Sequence, residues 1–568
     1  MNQKGRLLLS VLCLLFVRVA LAQVVPVGTP ALEDFYRREQ LLGRIDSSIS
    51  FAIRPLTAEA LGRTNLYDPL GRADSVHSIL GDSTGGLTVE LLPARFQYRL
   101  GSSFPYGRND GPLIPAKGEQ VFATGGIFAK YKFITLQLQP ELIAARAANY
   151  EGMGNLAGYG LEWFRAVGNK IDMPEYFGRG GYSGAFLGQS SLRFNFDPVS
   201  FGVSTENLWW GPGINNSLLM SNTAPGFLHF TINTTKPVVT PVGSFEGQLV
   251  GGRLKQSGYL PSRDIELDHV ERYYIEKPDD DRYFSGMIVS YQPKWIPGLS
   301  VGYITSFVAY MDNMLKFNDY LPFLKSTRQR VSYIDDYGKE RTTGTSRDRY
   351  HSAFFRWMMP TVHLEVYGEY GRNNSAANFR DLMVRPNQSR AFILGFRKLV
   401  PLSFSPGDYL QVAFEATELT RPYPHFLRNS QTWYTHPIVR DGYTHRGQLL
   451  GAGIGPGSSV QSLDFSWIRD IKQIGLKVER LVHNEDFFNT YIYDLRRSWV
   501  DLTFDGYANW NYKNMLFYGN VSYSYAHNYR YKFTQPVSPG GFWDFGRHDK
   551  DNVTVQLGIS YRFKYENQ

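Results

Sequence analysis

Residues 552–563, NVTVQLGISYRF, decide the fold. Val553, Val555, Leu557, Ile559, Tyr561 and Phe563 interleave with Thr554, Gln556, Gly558, Ser560 and Arg562. Successive side chains on a strand point to opposite faces. One face is therefore an apolar ribbon ending in aromatics, and the other is small or polar. A strand with lipid on one side and a wet lumen on the other reads this way.

Working back from this stretch, eighteen segments of the same kind run from residues 87–100 to residues 551–563. Their length, near ten residues, suits a tilted transmembrane strand. Tight links at residues 131, 196–198, 293–297, 360, 469–472 and 512–514 alternate with long ones. The long links are residues 101–118, 146–187, 207–225, 257–283, 310–350, 372–389, 420–458, 484–497 and 528–550. Bacterial barrels join their strands by short periplasmic turns and longer extracellular loops. An even strand number with both chain ends in the periplasm fits that alternation, whereas a soluble sandwich gives no reason for it. Residues 361–371 carry Val362, Leu364, Val366 and Tyr370 on one side, with His363, Glu365, Tyr367 and Glu369 on the other. The expectation is an all-β, transmembrane antiparallel β-barrel of about eighteen strands over residues 87–568. One departure is the tail Lys564-Tyr565-Glu566-Asn567-Gln568, since many outer-membrane proteins end on the aromatic itself.

The front of the chain supplies the route to that membrane. Lys4 and Arg6 precede an apolar run over residues 7–17, and Ala20-Leu21-Ala22 is a small-x-small cleavage site. Residues 1–22 read as a signal peptide. Leu12 is too large to precede a lipidated cysteine, so Cys13, the sole cysteine, leaves with the signal. Disulfides and thiolate metal sites are excluded from the mature chain. The formal charge of +8 falls to +5 without Lys4, Arg6 and Arg18, and no basic run points to nucleic acid. Beyond the signal no apolar stretch is long enough for a transmembrane helix. Aromatics at 15% and 55 glycines fit either an outer-membrane barrel or a soluble β-rich carbohydrate-active protein.

Between signal and barrel, residues 23–86 read as a short N-terminal periplasmic helical segment. Leu32, Phe35, Tyr36, Gln40, Leu41 and Leu42 recur at roughly helical spacing within residues 31–45, with Glu33, Arg37, Arg38, Glu39 and Arg44 mostly opposite. A second short helix over residues 56–61 has Thr57 as its cap.

Residues 207–221 read NLWWGPGINNSLLMS, followed by NTAPGFLHFTINTTKP and, at 244–254, SFEGQLVGGRL. Further pieces are IDMPEYFG at 171–178, GQS at 188–190, EVYGEYG at 365–371, QSRAFILG at 388–395 and DGYTHRGQLLGAGIGPG at 441–457. The chain resembles the capsule assembly Wzi family over residues 85–563. The resemblance implies an eighteen-stranded outer-membrane barrel with a periplasmic helical element. It also implies a surface lectin that anchors capsular or extracellular polysaccharide.

Two loops carry the chemistry for such a role. Trp209 and Trp210 share a Gly/Pro/Asn-rich loop with Asn215, Asn216, Ser217 and Asn222. Sugars stack their C–H faces on aromatic rings while amides and hydroxyls bond their hydroxyls. The same tryptophans are also the residues to pack a loop into the barrel mouth, and packing is the stronger reading. Residues 420–458 hold Tyr423, His425, Trp433, Tyr434, His436, Arg440, Asp441, Tyr443, His445 and Arg446. Arginine binds carboxylates bidentately, so this loop suits an acidic polysaccharide. The candidate carbohydrate contacts are Trp209, Trp210, Asn215, Asn222, Trp433, Tyr434, His436, Arg440, Tyr443, His445 and Arg446.

No catalytic set emerges. Glu365 and Glu369 stand four apart on one strand face, about 13–14 Å at the rise of a strand, whereas paired glycosidase carboxyls lie roughly 5–10 Å apart. They read as lumen charges facing lumen arginines. There is no G-x-S-x-G, and GAGIGPG at 451–457 lacks the lysine ending of a phosphate loop. His436 and His445 have no acidic partner at metal-binding spacing, and EKPDDDR at 276–282 reads as a solvated loop rather than a calcium site. The expected protein is a monomer without enzyme activity, cofactor or metal, whose partners are polysaccharide, outer-membrane lipid and lipopolysaccharide. A porin or transporter for glycans or small solutes is the alternative.

Overall fold

A computed structural model describes residues 23–563 apart from 64, 72–85, 154–159, 179, 263–273, 325–330, 335–339, 344–345, 374–378, 423–429 and 535–539. The signal peptide, Tyr423, His425 and the tail beyond Phe563 lie outside the described residues. Eighteen antiparallel strands close into one barrel. In chain order they are β1 (Leu87–Gly101), β2 (Gly118–Tyr131), β3 (Ile134–Leu138 with Glu141–Ala145), β4 (Tyr182–Phe186 with Ser191–Phe196), β5 (Val199–Ser204) and β6 (His229–Thr234 with Val238–Thr240). Next come β7 (Gly243–Leu254), β8 (Arg282–Pro293), β9 (Leu299–Tyr310), β10 (Asp348–Met359), β11 (Leu364–Asn373) and β12 (Arg390–Pro401). The last six are β13 (Asp408–Glu418), β14 (Ser459–Arg469), β15 (Lys472–Val482), β16 (Val500–Tyr512), β17 (Met515–His527) and β18 (Lys550–Tyr561). The seam is β18 on β1, with Thr554 opposite Gly101 and Tyr561 opposite Ala94.

The two-residue rhythm sorts side chains as expected. On β18, Val553, Leu557 and Tyr561 are exposed outward, while Asn552 and Thr554 are buried inside. No helix among the described residues is long and apolar enough to cross a membrane; strands make the crossing here.

Three strands are interrupted, two of them at prolines, which cannot donate to a ladder. Pro140 splits β3 and Pro237 lies in the break of β6. The break in β4 faces that of β3, where Gln189 N donates to Gln139 O at 3.0 Å. Gly188 has φ +58°, and a Cβ there would meet Gln139 O at 2.5 Å, so glycine is required. The strand expected to begin at residue 188 in fact begins at Tyr182, before this break. His363 does not share the lumen face of Glu365, because it occupies a left-handed turn position, φ +48°, ahead of β11.

The lumen is filled by two bodies. The first is N-terminal: helix α1 (Pro30–Leu41) and the four-residue helix α2 (Ala58–Leu61). α1 starts at Pro30, whose fixed φ suits a first helical position, and the Glu33 carboxylate accepts from Gly28 N and Thr29 N at 3.0 Å. Thr57 caps α2 by accepting from Ala60 N. Leu32, Phe35 and Tyr36 pack with Ile49, Phe51, Leu56 and Leu66 into a small core of their own. The segment read as preceding the barrel packs inside its wall at the short-turn end. Its charged side is buried there: Arg38 bonds Asp470 O and Gln473, and Leu41 packs on Met358, Leu399 and Ile468.

The second body is built from long loops folded inward. Trp210, Leu218, Leu219, Trp433, Tyr434, Val439 and Tyr443 form one buried cluster with Phe284, Ile304, Tyr350, Ile393, Val460 and Leu481 of the wall. A short antiparallel pairing, Trp209 on Arg54 and Trp210 on Ile53, joins the two bodies.

Candidate functional site

The WWGPG loop is pinned to the wall by one carboxylate. Glu415 on β13 accepts from Ile214 N at 2.7 Å, Asn215 N at 3.1 Å and Asn216 N at 2.8 Å, and also from the Tyr367 hydroxyl at 2.9 Å. Consecutive backbone N–H groups turned to one point make an anion cradle; here the anion is the protein's own. Trp210 Nε1 donates to Gln248 at 2.7 Å, and the Arg54 guanidinium covers the Trp209 ring at 4.9 Å. Asn222 donates to Asn109 O at 2.8 Å and accepts from Asn207.

The loop after β13 is equally committed. Trp433 Nε1 donates to Ser389 O, the Tyr434 hydroxyl to Leu218 O, and the Tyr443 hydroxyl pairs with Ser306. Tyr350 and Tyr443 have ring centroids 4.5 Å apart. His436 Nδ1 accepts from Ile438 N and Val439 N, and His445 Nδ1 accepts from Lys255 N. Burial, reinforced by Lys170, pushes His436 down to about 3. Burial with Arg446, Arg282 and Lys255 pushes His445 well below its ordinary value. Both rings are neutral acceptors that tie loop backbone.

Of the expected sugar contacts, Trp209, Trp210, Asn222, Trp433, Tyr434, His436, Tyr443 and His445 are therefore buried, and their rings are covered by protein. Asn215, Arg440 and Arg446 are half-buried, Arg446 lying over Phe186 at 5.2 Å. These residues belong to one plug rather than to one open groove.

Exposed aromatic rings with arginines beside them gather on two loops the sequence reading treated only as links. Between β15 and β16, Arg496 sits 5.1 Å from the Phe533 ring and 5.0 Å from Phe542, with Arg497 4.6 Å from Phe533. Phe542 meets Trp543 edge-on at 5.0 Å, and Trp543 is 65% exposed. A doubled arginine in one loop and GGFWDFG at 540–546 in the next were the available signal. Nearby, burial pushes the Glu151 carboxyl up, but Lys532, Lys550 and His548 outweigh it and hold it at about 2.

Catalytic arrangements do not form from the carboxylates considered. Glu365 accepts from Arg37 at 3.0 Å and Arg356 at 2.7 Å, with Arg397 at 3.7 Å. Glu369 accepts from the Ser352 hydroxyl at 2.7 Å instead. In the acidic run at 276–282, Asp281 pairs with Arg253 and Asp280 accepts from Asp312 N. Among the described residues no cluster of three or more His, Cys, Asp or Glu is gathered to hold a metal.

The family model of the capsule assembly protein Wzi matches residues 120–532. The chain belongs to the Wzi family. It is an outer-membrane barrel of a family that is not one of enzymes. Among solved structures it is similar to Wzi of Escherichia coli, described as an outer membrane protein involved in group 1 capsule assembly and a carbohydrate-binding β-barrel. That match has a TM-score of 0.59 at 13% identity, over 96% of this chain and 100% of that one. OccAB2 of Acinetobacter baumannii matches at a TM-score of 0.39 and 9% identity, over 83% of this chain and 98% of that one. OpdQ of Pseudomonas aeruginosa matches at 0.38 and 9%, over 84% and 97%. A search of curated proteins found no match.

Proposed function

We propose that this Wzi-family barrel binds capsular or extracellular polysaccharide at the cell surface and anchors it there. In this reading the long loops face outward, and the short turns and N-terminal body face the periplasm. The observation that carries it is the packed loop cluster: among the described residues the long loops form a plug that reaches wall strands from β7 round to β17. A rigid cap suits presentation of a surface better than it suits conduction. On the long loops, Arg496, paired with Asp494, lies beside the exposed rings of Phe542 and Trp543, a cation next to stacking faces, which fits a carboxylated sugar. Half-buried Arg440 and Arg446 are the members of the sequence-derived set that remain reachable, whereas Asn215 faces the lumen and donates to Ser462 at 3.1 Å. Weak contacts repeated along one polymer add through effective concentration.

Deletion of the gene tests this. Polymer should pass into the medium while total synthesis stays normal; unchanged cell-bound polymer would refute anchoring. Sustained ion conductance of the purified protein in planar bilayers would favour the porin alternative.

A further inference from the structure

Between the N-terminal body and the wall of β13 to β18 and β1, a cavity of about 450 Å³ remains. It lies inside the barrel, below the loop plug, and has no part in the surface reading. At about 30 Å³ per molecule it has room for roughly fifteen waters, and it falls within the range of small-ligand sites.

Its lining defines what it suits. Seven cationic and seven acidic side chains surround it, and they are already engaged with protein. Arg54 pairs with Glu33, Arg397 with Asp34, Lys477 with Asp505, Arg99 with Asp110 and Arg108 with Glu479. Arg37 pairs with Glu365, and Arg95 donates to Gly28 O. Glu415 is taken by the WWGPG loop, and Asp464 accepts from Tyr507 and Gln411. The lining carries no net charge, and of its cations only Arg95 has a carbonyl rather than a carboxylate as its partner, so an ion entering it would be desolvated with little free counter-charge. What remains on offer is aromatic and amide. Tyr106, Tyr507 and Tyr518 present rings, while Asn509 and Asn520 present amides from strand positions that a barrel wall holds rigidly. Rings stack on C–H faces and amides bond hydroxyls in both directions.

We propose that this luminal chamber is a second carbohydrate site, for an uncharged mono- or disaccharide. Its ligand class differs from that proposed for the surface, where a half-buried arginine stands beside exposed rings.

Calorimetry on the full-length protein in detergent, with glucose, galactose, maltose and glucuronate as probes, tests it. At least one neutral sugar should bind saturably, and glucuronate more than tenfold more weakly. Asn520→Trp, which drives an indole into the chamber, should weaken that binding at least tenfold. Asn509→Leu, which removes an amide without adding bulk, should weaken it at least threefold and decides the matter if the tryptophan variant does not fold. Trp543→Ala should leave it unchanged, which separates this site from the surface one. No binding by any neutral sugar, equal binding by the two chamber variants, or tighter binding of glucuronate would each overturn the proposal.

Discussion

Arg37 on α1 and Glu365 on β11 form an ion pair at 3.0 Å, both side chains almost wholly buried inside the barrel. Arg356 bonds the second carboxylate oxygen at 2.7 Å. Removing one member of a buried pair strands the other and costs about 3–5 kcal/mol. Glu365→Ala should therefore loosen the N-terminal body while the strands stay paired. Limited proteolysis should cut within residues 23–66 of the variant, with heat-modifiable migration of the barrel preserved.

Glu415 predicts a different failure. Glutamine keeps its size but replaces one acceptor oxygen by a donor, which opposes the N–H groups of Ile214, Asn215 and Asn216. Unmet buried donors cost about 1–3 kcal/mol. In Glu415→Gln, amide hydrogen exchange at residues 214–216 should rise at least tenfold, with β7 to β12 unaffected.

Acid should loosen the loop plug before it touches the barrel. His436 holds Ile438 N and Val439 N through an unprotonated nitrogen, and burial keeps its folded value at about 3 against an ordinary 6.5. Because the folded value is depressed, the unfolded loop binds the proton first. The stabilisation is full above about pH 6.5 and is lost progressively as pH falls toward 3. Near-UV circular dichroism of the aromatic cluster should decline through that window, and His436→Asn should flatten the decline.

At the outer surface, Trp543→Ala and Arg496→Ala should each lower cell-bound polymer several-fold with barrel abundance unchanged. Neither side chain belongs to the barrel wall: Trp543 is 65% exposed, and the Arg496 guanidinium bonds its neighbour Asp494 and lies against Phe533 and Phe542 of the next loop. Normal retention in the double variant would remove this surface from the polymer site.

The barrel was legible because lipid enforces alternation on every strand, so Val553 to Phe563 announce their face without help from neighbours. Loop lengths were legible for the same reason. The interior was not. A helix with Arg37, Arg38 and Glu39 on one side looks solvated until Glu365 and Gln473 are seen waiting for it, and that meeting depends on residues over 300 positions away. A signal did exist: Ile288, Ile304, Phe354 and Ile393 are apolar yet share the inner face with serines and glutamates. Apolar side chains on a lumen face mean that something packs there. Trp433 and Tyr443 looked like ligand contacts because the residue types that stack on sugars also seal protein interiors.

The interior is filled by two bodies, joined by the Trp209–Trp210 ladder and by bonds from Arg37 to Pro212 O and Arg54 to Gly213 O, yet each keeps a core of its own, so the loss of the N-terminal one should leave the loop plug in place. A cell carrying the chain without residues 23–66 should stay as resistant to bulky antibiotics as its parent. On the proposed reading the outer membrane would gain a wide mooring without gaining a leak.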